Sequence, residues 1–164
     1  MSRLFAILSL WALLSASAVA SQELSGLARF QPDGSQLRDR GRQLEVTLNL
    51  SQAVPYRVFT LDSPRRLVID FREVDWSAAE ADALEQAETV TAVRFGGFRP
   101  GWSRFVAELN APMRLKTAQM STEPDSNTAQ LALVLQRTDA ETFTAHSGAP
   151  VSEAWPEATT TVRR

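Results

Sequence analysis

Residues 43–71 read QLEVTLNLSQAVPYRVFTLDSPRRLVIDF, and this stretch decides the fold. Leu44, Val46, Leu48 and Leu50 alternate with Glu45, Thr47 and Asn49, the period of a strand with one buried face. Leu67, Ile69 and Phe71 repeat the pattern at the far end. A second copy, SRFVAELNAPMRLKTAQMSTEPDSNTAQLALVL, occupies residues 103–135. In each copy an alternating strand ends in Leu-Asn, a short link follows (residues 53–55 and 111–112), and two further strands come after it. The segment GLARF at 26–30 resembles TAVRF at 91–95, and each precedes its copy through a turn rich in Gly and Pro. The unit is therefore about four strands, used twice.

Working outward, alternation predicts secure strands around residues 43–50, 67–71, 105–109 and 131–135, with further strands at 24–31, 56–61, 90–95 and 113–120. Turn signals fall at 32–34, 62–64, 96–97, 100–101 and 123–127. Eight short strands with turns between them predict an all-β sandwich of two similar sheets. One helix interrupts them. Ser77 and Glu80 have capping-box spacing, and the alanines that follow predict two to three helical turns linking one sheet to the other. Trp76 is placed to staple that helix to the core.

Residues 1–20 have the three parts of an export signal: Arg3, an apolar run over 4–14 and small residues at 18–20, with cleavage expected after Ala20. The run is too short for a permanent anchor, which needs roughly 20 apolar residues. Residues 21–137 then form one domain. Residues 138–164, rich in Ala, Thr, Ser, Pro and Glu, read as a flexible linker in which Phe143, Val151 and Trp155 are too sparse for a second core. With no cysteine, disulfides and thiolate metal sites are excluded. The net charge of −2 disfavours nucleic acid as a partner. The basic residues are nearly all arginine, Lys116 being the only lysine, a bias that suits acidic partners or simply reflects a GC-rich genome.

The run PYRVFTLDSPRRLVIDF at 55–71 resembles the hallmark of the AMIN domain, an extended segment meeting a Pro-x-Arg-Leu-Val-Ile-Asp strand. Pro64, Arg66, Leu67, Val68, Ile69 and Asp70 match it position by position, and the resemblance covers roughly residues 24–136. It implies a sandwich of two similar sheets in the bacterial periplasm. AMIN domains typically direct a zinc-dependent N-acetylmuramoyl-L-alanine amidase domain to peptidoglycan and the division site, and some occur in outer-membrane secretins. On this resemblance the chain reads as the targeting part of such an amidase, or a stand-alone version of it, with the catalytic domain missing. The second copy departs from the pattern. Gln130-Leu131-Ala132-Leu133 lacks the Arg and Asp, so a site built on Arg66 and Asp70 would make the two halves inequivalent.

A zinc hydrolase needs about three His, Asp or Glu ligands on a rigid frame, whereas the one histidine, His146, falls in the expected linker. No cofactor is expected in this chain, zinc belonging only to the missing amidase domain. Glu45, Asp70 and Glu108 alternate onto outer strand faces, where solvated acids are usual, so a carboxylate-pair glycosidase is disfavoured. Arg66 and Asp70 share one strand face. They read either as a solvated ion pair or as a site where Arg66 takes a stem-peptide carboxylate that Asp70 orients. Phe98 and Trp102 flank the Pro100-Gly101 turn beside Arg94 and Arg104, and either close one end of the sandwich or stack on sugars and peptides. The expected ligand-binding residues are Arg66, Asp70, Arg94, Trp102 and Arg104, with no catalytic residue. The expected function is non-catalytic peptidoglycan binding by a periplasmic monomer that contacts no membrane once its signal is removed. The alternative is an adaptor for a division-site or envelope protein, joined by strand addition at a sheet edge.

Overall fold

The computed structural model describes residues 27–124, 126, 128–151 and the backbone of 160–162. Its strands are β1 (Ala28–Arg40), β2 (Gln43–Leu50), β3 (Tyr56–Leu61), β4 (Arg66–Arg72), β5 (Val74–Asp75), β6 (Val90–Arg99), β7 (Trp102–Leu109), β8 (Met113–Thr122), β9 (Ala129–Arg137) and β10 (Thr160–Val162). Two short helices, α1 (Ala81–Leu84) and α2 (Ala140–Ala145), complete it. Among the described residues no helix is long and apolar enough to cross a membrane. The export signal expected at 1–20 lies outside the described residues.

The strands form a six-stranded sheet, ordered β10-β8-β9-β2-β1-β5, and a four-stranded sheet, ordered β3-β4-β7-β6. Each repeat divides itself between them. β1 and β2 of the first copy join β8 and β9 of the second, while β3 and β4 join β6 and β7. Renumbering β1–β4 as β6–β9 turns one sheet order into the other, so the duplication is a pseudo-twofold relation between sheets. The central pairings, β2 with β9 and β4 with β7, are antiparallel and join the two copies. The alternating residues Leu44, Leu48, Leu67, Ile69, Phe71, Phe105, Leu131 and Leu135 are all buried between the sheets. Trp76 is buried there too, its ring 5.3 to 5.9 Å from those of Phe30, Phe95, Phe71 and Phe105. It is thus a core residue, and because Glu80 rather than Ser77 is the N-cap of α1, it does not stand at the staple position.

Four local expectations are corrected, the first being the turn signal at 96–97, where Gly96 and Gly97 stay within β6 opposite Arg104 and Ser103 of β7. The turn signal at 32–34 is a bulge inside a continuous β1: Gly34 has φ 75°, and a Cβ there would meet Asn49 Nδ2 at 2.9 Å. The Ser77–Glu80 capping box does not form, and α1 is a single turn whose N-cap, Glu80, makes no side-chain cap bond. Asp75 is the competitor, its Oδ1 accepting the Ser77 N–H at 2.9 Å. The flexible linker does not begin at Thr138. Asp139 caps α2 by accepting the Thr142 N–H at 2.7 Å, and Phe143 is buried. Gly148 N–H then donates to Thr60 O at 2.8 Å, tying the segment to β3. One large ring suffices to dock a short helix when its polar groups are satisfied locally.

Candidate arginine and aromatic face

The outer face of the four-stranded sheet carries every residue expected to bind ligand. In β4, Leu67, Ile69 and Phe71 point inward, so Arg66, Val68, Asp70 and Arg72 point outward. Register then sets their neighbours: Asp70 lies between Arg57 of β3 and Arg104 of β7, and Arg72 lies beside Trp102.

Asp70 was expected on a solvated surface and is instead fully buried. Arg57 Nε and Nη2 approach its Oδ2 at 2.9 and 2.8 Å. Arg104 Nε reaches Oδ1 at 2.6 Å and its Nη2 reaches Oδ2 at 3.1 Å. The two guanidinium groups close over the carboxylate from adjacent strands. A buried acid is tolerable only when paired and hydrogen-bonded in this way. Arg66 does not pair with Asp70; its Nε donates to Pro64 O at 3.2 Å. Arg94 is exposed and pairs with Glu108.

Aromatic rings also hold three of the guanidinium groups. Arg57 and Arg99 lie 4.3 and 4.1 Å from the Trp102 ring centre, and Arg104 lies 3.6 Å from that of Phe98. These are cation–π distances. Trp102 is consequently only 8% exposed, whereas Phe98 is 48% exposed and presents the accessible ring. Beside it a hollow of about 440 Å³ is lined by Leu27, Val74, Phe98, Arg99 and Trp102, among others.

Six arginines, at 57, 66, 72, 94, 99 and 104, therefore share this face with the two carboxylates Asp70 and Glu108. Such a face can receive carboxylates through planar two-pronged hydrogen bonds and apolar ring faces through stacking. The structure brings Asp70, Trp102 and Arg104 into one cluster and leaves Arg66 and Arg94 at its margin. Arg57 was missed. Its signal was the hairpin register, because Leu61 opposite Arg66 forces Arg57 opposite Asp70.

Among the described residues the other sheet has no equivalent cluster. Aligning Leu131, Leu133 and Leu135 with Leu67, Ile69 and Phe71 puts Val134 where Asp70 stands, and Val134 pairs with Glu45 where Asp70 has Arg104. The halves are inequivalent at this site.

The AMIN domain family model matches residues 34–142, well over half of the chain. No curated protein matches it.

Proposed function

Because this chain belongs to the AMIN domain family, we propose that it is a non-catalytic module that binds peptidoglycan in the periplasm and localises a cell-wall amidase there. Its place would be wall turnover or daughter-cell separation, with residues 1–20 removed on export. Zinc belongs to the amidase chemistry and has no part in this binding. The observation that carries the reading is the Asp70-centred cluster, which holds Arg57 and Arg104 rigid beneath an exposed Phe98. Peptidoglycan offers the complementary groups. Its stem peptides carry carboxylates, and its sugar rings have apolar faces suited to stacking on Phe98. Pre-ordered arginines lose little side-chain entropy on binding, so each contact keeps more of its worth.

Titration calorimetry with soluble peptidoglycan fragments tests the reading. Arg66→Ala is expected to weaken binding by about tenfold, the worth of one charge-assisted hydrogen bond of roughly 1.5 kcal/mol. Its melting temperature should match that of the wild type. Equal binding by the two folded proteins would remove Arg66 from the site.

A further inference from the structure

An open sheet edge invites pairing, and this fold guards nearly all of its own. On β6 the Glu85 carboxylate takes the Val93 N–H at 2.6 Å. On β3 the end of α2 and the segment after it cover the edge, with Gly148 N–H on Thr60 O and Thr144 Oγ1 donating to Asp62, just past the strand, at 2.7 Å. β5 is only two residues long. β8 divides into two parts. Its first half carries a register shift between Leu115 and Thr117, so that the only lysine, Lys116, sits at a bulge. A bulge and a lysine are both devices that discourage edge pairing. Its second half has neither, and there a strand from the tail of the chain is added, as the two-residue β5 is added to β1 at the opposite edge of the sheet. β10 runs parallel to it, with Thr160, Thr161 and Val162 opposite Met120, Ser121 and Thr122.

We propose that the Met120–Thr122 edge of β8 is a strand-docking site, held in the isolated chain by its own tail strand and open to an extended protein segment that displaces it. Edge pairing is made by main-chain hydrogen bonds, so it selects for an extended backbone more than for particular side chains. The chemistry of the cis strand defines the partner: a short uncharged run of β-branched residues, entering parallel to β8. Three residues of pairing make a short ladder, well below the usual strand length of about five. The cis strand is thus a weak competitor. This edge belongs to the sheet opposite the arginine face, so a partner strand and a wall ligand need not compete, and the proposal does not depend on the wall-binding reading.

The test uses residues 21–164 and a variant carrying Thr160→Pro and Thr161→Pro, which removes two N–H donors and bars the tail from the edge. The probe is a labelled synthetic peptide of sequence PEATTTVRR, residues 156–164. Hydrogen–deuterium exchange should show the segment around Met120–Thr122 protected in the wild type, exposed in the variant, and protected again when the peptide is added. The peptide should bind the variant about tenfold tighter, the factor by which an edge open about a tenth of the time weakens apparent affinity. Unchanged melting confirms that the body of the fold is intact. Equal exchange in both proteins, equal peptide affinity, or failure of the peptide to restore protection would each overturn the proposal.

Discussion

Asp70 is the residue on which the outer face of the four-stranded sheet depends. Four N···O contacts from Arg57 and Arg104 satisfy its two oxygens. Removing it would leave two half-buried guanidinium groups facing one another without a counter-charge. Breaking a buried pair from one side costs about 3–5 kcal/mol. Asp70→Ala is accordingly expected to lower unfolding free energy by about that amount in urea titrations. A loss under about 1 kcal/mol, usual for an exposed pair, would contradict the buried clamp. The direction of Asp70 was legible in the sequence, because its alternation with Ile69 and Phe71 sends it outward. Its burial was not. Strand parity says which face a side chain leaves from, but the covering arginines come from β3 and β7, and only the register brings them there.

At the scale of elements, strands were read more faithfully than helices. Four alternating runs and four less regular ones became eight strands, because period-two patterning follows from having one buried face. The helices failed on local competition. Asp75 captured the Ser77 N–H that a capping box would have used, while α2, hidden in a polar composition, is held by Asp139 and one phenyl ring. The Thr142 N–H donating to Asp139 holds that carboxyl below its ordinary value of about 3.8, aided by the Thr142 hydroxyl. Because the folded-state value is depressed, the cap contributes fully above the ordinary value and is lost as pH falls through the lower, folded one. The amide NMR shift of Thr142 should therefore titrate with a midpoint below about 3.8. In Asp139→Asn, which caps without titrating, that transition should vanish. A midpoint at or above the ordinary value would argue against the cap.

Across the whole molecule, duplication supplies the scaffold and divergence supplies the site. The two copies share the spacing of their inward apolar positions, so the core follows the repeat, and the duplication was visible from that pattern. What one strand contributes to each sheet was not visible, because alternation carries no information about which strands become neighbours. The outward residues have diverged. One face collects six arginines although the chain as a whole is acidic at −2, a segregation that net charge conceals. A field of that sign draws in an acidic polymer at low ionic strength and fades as salt screens it. The most direct test of the account is co-sedimentation of residues 21–164 with purified peptidoglycan sacculi across a salt series, beside the charge-reversed variant Arg72→Glu. The account predicts saturable pelleting that weakens with salt and is weaker still in the variant. Protein that is folded by circular dichroism yet stays in the supernatant at every salt concentration would contradict it.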